Sequence, residues 1–295
     1  MSHSNEKTLR LIFPQWQGGN NPAYQFGAQL LSWLAPETSG PIAEVSVSLP
    51  QRVPLEKEAG IVGRSALREQ TRSAQQMIAA HTPDAIVTLG GDCLVSLAPF
   101  AWLSEKYQDK LGVLWIDSHP DVMTPEQFEH AHAHVLGALM GSGDADLTGV
   151  VTSPIAAQKI MIAGIHHPSG YEADFIRQHG INTCSPEEVK AGAGPVTAWM
   201  ESQGIEFLAI HFDLDVLEPA TFRSVLFARP GRGEDDFGGA AEGRLLIEDV
   251  LALTTQVAEK APVVGLTVAE HLPWDAINLK AMLARLPLLG TGAGS

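Results

Sequence analysis

Seven short apolar runs recur along the chain, and they restrict its fold more than any other feature: LRLIFP (9–14), AEVSVSL (43–49), AIVTLGG (85–91), LGVLWID (111–117), KIMIAGI (159–165), FLAIHFDLDV (207–216) and VVGLTVAEH (263–271). As a set they are near-continuous in hydrophobicity rather than alternating. A strand that reads this way is covered on both faces, as in a parallel sheet between layers of helix. Helical stretches lie between the runs, at 23–35, 65–81, 95–107, 133–141, 170–180, 244–259 and 276–289. Strand–helix alternation through the whole length predicts one doubly covered α/β domain over residues 1–295. That is long for one domain, but α/β units often run to ~250 residues or more. Hydrophobic residues make up 45% and aromatics only 6%, so Val, Ile, Leu and Ala must fill the core.

Local signals add detail. Ser65 is an expected N-cap, with Glu69 near the capping-box position. Pro99 fits the first turn of its helix. The segment FARPGRGEDDFGGAAEG (227–243) breaks the alternation and reads as an exposed loop on the rim of a site. It is no phosphate cradle, because it neither follows a strand closely nor opens a helix.

Lys and Arg number 19 against 34 Asp and Glu, a formal charge of -15. Such a field repels phosphate-coated partners, so nucleic-acid binding is disfavoured; it would attract a small cationic ligand, but solubility alone also accounts for it. Cys93 and Cys184 make no disulfide framework and fit a reducing cytoplasm. The opening MSHSNEKTLR has no leader-type apolar segment, and no run of ~20 apolar residues predicts a membrane span.

Ligands of open α/β sheets bind beyond the carboxyl ends of the strands. The chemically capable residues of this chain fall there repeatedly. Asp92 and Cys93 follow one run; Asp117, His119 and Asp121 end another; Asp213 and Asp215 end a third; Glu270 and His271 end a fourth. In an extended segment, residues i, i+2 and i+4 point to one side. Asp117, His119 and Asp121 can therefore converge, and Asp213 and Asp215 share a parity of their own. Four carboxylates buried together without a partner would be very costly or would take up protons. One or two divalent cations remove that cost. A lone Asp after a strand is usually a turn former, but DSHPD and DLD on separate strands make that account of both weak. Mixed carboxylate and imidazole donors suit Mn²⁺, Fe²⁺, Co²⁺ or Ni²⁺, with Zn²⁺ as a further choice.

GGDC (90–93), DSHPD (117–121), HFDLDVLEP (211–219) and VAEH (268–271), in this order and spacing, resemble the arginase–agmatinase (ureohydrolase) family. The resemblance implies a three-layer α/β/α fold with a mostly parallel sheet of about eight strands. It implies two divalent ions, Mn²⁺ first, hydrolysis of a guanidino compound to urea plus an amine, and a homo-oligomer, trimer or hexamer. Carried over by position, Asp117 and Asp213 resemble the carboxylates that bridge both ions. His119 and Asp215 resemble ligands of one ion, and Asp121 of the other. Glu270 resembles the carboxylate facing the guanidinium, and His132 in HAHVLGALMG resembles the histidine that shuttles protons near the leaving amine. Asp121 would accept a proton from the activated water.

The pattern departs at three places. Cys93 stands where the family has a histidine ligand, Glu218 where it has Asp, and His211 where it has Ser or Thr. As a ligand, Cys93 would tilt the site toward Zn²⁺, Fe²⁺, Co²⁺ or Ni²⁺; otherwise it is a packed thiol. Two other functions remain open. One is deacetylation on a single Zn²⁺ held by Asp117, His119 and Asp213, although no rim tyrosine can be placed. The other is a degenerate homologue that binds or regulates. Among residues with both a site and a structural reading, Trp16, Gln17, Asn20, His166, His167, Trp274 and Asp275 lie near strand ends. Of the His130–His134 run only His132 is singled out. Cys184 reads as structural.

Overall fold

The computed structural model describes residues 7–50, 53–233 and 236–290. The first six residues, read above for a leader, and Glu234 and Asp235 of the Gly-rich loop lie outside them. The strands are β1 (Thr8–Phe13), β2 (Ile42–Glu44), β3 (Lys57–Glu58), β4 (Ile61–Val62), β5 (Ala85–Gly90), β6 (Leu111–Ile116), β7 (Ile160–Ala163), β8 (Asn182–Cys184), β9 (Phe207–Asp213) and β10 (Val263–Ala269). The helices are α1 (Ala23–Leu34), α2 (Arg64–His81), α3 (Leu97–Tyr107), α4 (Val135–Leu139), α5 (Ala145–Thr148), α6 (Gly170–His179), α7 (Pro186–Ala191), α8 (Gly194–Ser202), α9 (Ile247–Ala258) and α10 (Trp274–Leu283).

Eight strands form one sheet in the order β2-β1-β5-β10-β9-β6-β7-β8, and β3 pairs with β4 as a separate small ribbon. Every pairing within the large sheet is parallel. The central strands are buried on both sides, and all six residues of β6 are buried. Alternate residues feed two cores. Val113, Trp115 and Ala209 pack with α2, α3 and α4 on one face. Leu114, Ile116, Leu208 and Ile210 pack with α8 and α9 on the other. Each fully buried Leu, Ile or Val contributes roughly 1.5–3 kcal/mol, so continuous apolar runs at the centre of the sheet are what the two helical layers require.

The run at 43–49 gives only two strand residues, the last two of β2, because the chain beyond Glu44 leaves the ladder after one bond from Val45 N to Ile12 O, 2.9 Å. The eighth strand, β8, is three residues long, begins Asn-Thr and sits at the sheet edge against β7. Ser65 is not an N-cap. Gly63 caps α2 in a left-handed conformation, and Glu58 accepts hydrogen bonds from Ser65 N at 3.2 Å and from the Ser65 hydroxyl. No helix among the described residues is long and apolar enough to cross a membrane.

Candidate metal centre and catalytic cavity

The strand order puts β5, β10, β9 and β6 side by side, so their carboxyl ends deliver side chains to one place. The turn after β5 is pinned tightly. Gly91 N donates to Phe13 O at 3.0 Å, Asp92 N to Gln15 O at 3.1 Å, and Glu270 N to Gly91 O at 2.7 Å. A Cβ on Gly91 would lie 1.7 Å from Gln15 O, so only glycine fits there. Asp92 turns away from the cluster. It accepts from Leu94 N at 3.1 Å and Gly19 N at 3.2 Å, and burial lifts its carboxyl pKa to about 7. Its work is to cap the turn that carries Cys93 and to hold the 18–19 loop.

Asp117 lies at the centre. Trp115 Nε1 donates to its Oδ2 at 3.1 Å, and His119 N donates to its Oδ1 at 2.8 Å. On one side, ligand atoms of Cys93, Asp117, Asp121 and His211 all fall within 4.8 Å of one another. On the other, those of Asp117, His119 and Asp215 do the same, with His119 Nδ1 3.3 Å from Asp117 and 3.5 Å from Asp215. Cys93, Asp213 and Glu270 form a third grouping. The Cys93 thiol donates to Asp213 Oδ2 at 2.9 Å and lies 3.7 Å from Glu270 Oε1. Asp215 N donates to Asp213 Oδ1 at 2.6 Å. Asp121 and Glu270 both adopt left-handed backbone conformations, φ +50° and +64°, which non-glycine residues rarely take.

The electrostatics are those of an acid cluster. Burial, then neighbouring carboxylates, pushes Asp121 and Asp213 far above the carboxylate range, and burial does the same to Glu270. Burial raises Asp215 to about 7. Burial and Asp213 raise the Cys93 thiol as well. For His119, burial pulls the pKa down, but Asp215 and Asp117 together outweigh it and the imidazole is raised. Several polar atoms here have no hydrogen-bond partner: Asp121 Oδ2, Asp215 Oδ1, His119 Nε2 and His211 Nε2. Orphaned buried oxygens and nitrogens around shared carboxylates fit divalent cations, which would satisfy the lone pairs and cancel the repulsion.

The cluster floors a cavity of about 610 Å³. His132 is on its wall; Gly18 O lies 3.0 Å from His132 Nδ1, and burial lowers that imidazole to about 4. The resting ring is therefore neutral, and donation from Nδ1–H to Gly18 leaves Nε2 as an acceptor. Tyr24, Phe128, Phe227 and Glu172 also line the cavity, and the Gly-rich loop contributes Asp236 to Ala241. A second cavity of about 830 Å³ adjoins it, lined by Glu218 and by Arg223, Arg229, Arg232 and Arg244.

The residues with two readings divide. His167 lines both cavities and His166 only the second. Trp16 and Gln17 are buried away from the cavity, Trp16 Nε1 donating to Ser48 O at 2.9 Å; Gly19 and Asn21 line it in place of Asn20. His134 sits 2.8 Å from Phe128 O and His271 3.0 Å from Gly27 O, both as structural links, while His130 joins His132 on the wall. Trp274 donates to Val225 O at 2.7 Å, and Asp275 lies in the first turn of α10 near Arg223. Cys184 is buried in β8, where burial raises its thiol to about 12. Sequence reasoning passed over His211, Tyr24 and Glu172 as site residues. For His211 a signal was present, since it shares the parity of Asp213 and Asp215; for the other two there was none.

The sequence pattern that defines the Arginase family matches residues 29–283. An arginase of Staphylococcus aureus (strain MRSA252) is 27% identical over 160 residues, 52% of this chain and 50% of that protein. The chain thus spans about half the length of the curated relatives it matches. The crystal structure of Entamoeba histolytica arginase in complex with L-ornithine superposes with a TM-score of 0.75 at 21% identity, covering 91% of this chain and 92% of that one. The arginase from Bacillus caldovelox superposes at 0.72 with 20% identity over 91% of each chain. These likenesses show a shared fold, and with a family pattern that covers most of the sequence they place the chain in the arginase family.

Proposed function

We propose that the protein hydrolyses a C–N bond of a small guanidino compound to urea and an amine, using two divalent cations. One observation carries this reading: two ligand groupings share the buried Asp117, and their members Cys93, His119, Asp121 and Asp215 line one cavity together with Glu270. Asp117 and Asp213 would hold both ions, His119 and Asp215 one, and Cys93 and Asp121 the other. Bound there, the cations supply Lewis acidity that makes water nucleophilic at neutral pH. Mn²⁺ is the first choice of ion, with Ni²⁺, Fe²⁺, Co²⁺ and Zn²⁺ favoured to the extent that Cys93 ligates.

The chain's own groups do the rest. The Glu270 carboxylate matches a guanidinium edge with paired N–H···O contacts and orients it. Asp121 Oδ2, which has no other partner, takes the proton from the attacking water. His132 Nε2 carries a proton onward to the leaving amine, with Gly18 fixing the tautomer. Phe128 and Phe227 keep the space above the cluster apolar.

No Lys or Arg lines the catalytic cavity among the described residues, whereas Glu172 and Asp236 do. That supports a substrate whose far end is neutral or cationic, such as agmatine or guanidine, over one with a carboxylate, such as arginine or guanidinobutyrate. Protein loaded with Mn²⁺, Ni²⁺ or Co²⁺ should release urea from this panel, agmatine or guanidine first. No urea from any of them, with two ions per chain confirmed by elemental analysis, would end the proposal. Tyr24 on the cavity wall favours the rival deacetylase reading, which requires one ion per chain and release of acetate. Exposed Trp33, Leu251, Leu279 and Met282 on α1, α9 and α10 support a homo-oligomer, trimer or hexamer, testable by light scattering. The two free thiols support a cytoplasmic setting.

A further inference from the structure

His211 is the member of the cluster at a position where the family pattern supplies no metal ligand. It sits on β9 beside Trp115 of β6, the two residues being in register, and its ring stacks on the indole with centroids 3.6 Å apart at 7°. The side chain is completely buried. Ser96 Oγ lies 2.7 Å from Nδ1, and Nε2 at the far side of the ring has no partner. One ring nitrogen of His211 falls within 4.8 Å of ligand atoms of Cys93, Asp117 and Asp121, and with Nδ1 engaged by Ser96, Nε2 is the nitrogen left to face them.

A buried acceptor left unsatisfied costs about 1–3 kcal/mol, and an apolar residue at the same place would avoid that cost. The hydroxyl of Ser96 can accept from Nδ1–H, which fixes the tautomer with a bare Nε2 and raises the basicity of the ring. A metal-bound imidazole usually donates its other ring N–H to such a neighbour. Two departures from the family pattern then explain each other. Position 93 lacks its imidazole and position 211 gains one, and the two side chains approach each other from the turn after β5 and from β9.

We infer that His211 Nε2 is a metal ligand of this protein, binding the cation on the Cys93 side together with Cys93 Sγ and oxygens of Asp117 and Asp121. This rests on the two-cation reading above and adds the consequence that the two positions differ in kind. The Cys93–His211 position, with a thiolate and an imidazole, prefers Zn²⁺, Co²⁺, Fe²⁺ or Ni²⁺. The His119–Asp215 position, mostly oxygen, accepts Mn²⁺.

The test is a crystal structure of cobalt-loaded protein with anomalous scattering, paired with metal titrations of His211→Phe, which keeps the stacked ring without its nitrogens, and Ser96→Ala. In the parent structure Nε2 should lie ~2.0–2.2 Å from an ion, the usual imidazole–metal distance. His211→Phe should retain about one ion per chain and lose the thiolate-to-cobalt absorption, while Ser96→Ala should weaken one ion by roughly 10–100-fold, the range for loss of a group that orients a metal-bound imidazole. An ion held by Cys93 with Nε2 more than ~3 Å away, outside any ligand distance, overturns the inference and leaves the two-cation reading intact. So does a folded His211→Phe with unchanged stoichiometry and spectrum. No bound cobalt in the parent overturns both.

Discussion

Asp117 has two unlike sides. Toward Cys93, Asp121 and His211 every ligand atom belongs to a buried side chain. Toward His119 and Asp215 the imidazole has 25% of its side chain exposed. The first side departs from the family pattern by a thiol and an extra histidine; the second keeps that pattern unchanged. The first side offers softer donors and the second mostly oxygen, while Cys93 and Asp121 line the cavity just as His119 and Asp215 do. On the two-cation reading the two sides therefore differ in donor chemistry rather than in access to the cavity.

Removing the shared carboxylate should erase the contrast. Asp117→Asn is expected to lose both ions and to lower urea release by roughly 10³-fold or more, the upper end for loss of an electrostatic stabiliser. Elemental analysis showing two ions retained would break the assignment of Asp117 to both sides. Glu270→Gln acts beside Cys93 without being needed for loading, so turnover should fall by about 10²-fold while ions per chain stay the same.

A pH series separates the loaded from the metal-free state. In metal-free protein Asp121, Asp213 and Glu270 are raised, Asp215 stands at about 7, and His119 is raised. Groups whose folded pKa is raised stabilise most at low pH, and that contribution is lost as pH climbs from the unfolded value through the folded one. His132 and His211, lowered to about 4 and about 3, act in the opposite sense. Their effect is complete once an unfolded histidine deprotonates at about 6.5. Above that pH only the falling contributions remain. The Tm of chelator-treated protein should therefore drop between about pH 6.5 and 8, by ~2–4 °C for each kcal/mol lost, and added metal should flatten the slope. A Tm that rises over this interval would contradict the acid cluster. The smallest effect belongs to the cavity wall. Glu172→Gln, which keeps the buried side chain's shape and an oxygen for Ser169 N, should raise KM for agmatine a few-fold, about the worth of one weak charge pair, and leave metal content unchanged.

Much of this was legible because it obeys a local rule. The apolar run just before Asp117, His119 and Asp121 is β6, and the continuous apolar runs lie in a parallel sheet; residues 117–119 are a bend rather than an extended segment, with Asp121 left-handed. What was missed depends on distant packing. Asn182–Cys184 is too short and polar to show a strand pattern and pairs only because β7 offers an edge. Ser65 had the right residue type for a cap, but Glu58, seven residues earlier, took its hydrogen bonds. Tyr24 and Glu172 reach the cavity from α1 and α6, and nothing in their own neighbourhoods points there. His211 obeyed the parity rule yet was read only as a departure, because its partner Ser96 lies 115 positions away.

The left-handed backbone at Asp121 and Glu270 sets stability against function. Such conformations cost of order 1–3 kcal/mol each in a non-glycine residue, and they persist because Gly137 N holds Asp121 O at 3.1 Å and Gly91 O holds Glu270 N at 2.7 Å. Glycine would relax both positions and delete both carboxylates. A laboratory lineage selected for heat resistance alone would drift toward glycine at 121 and 270, becoming hardier and inert in the same step.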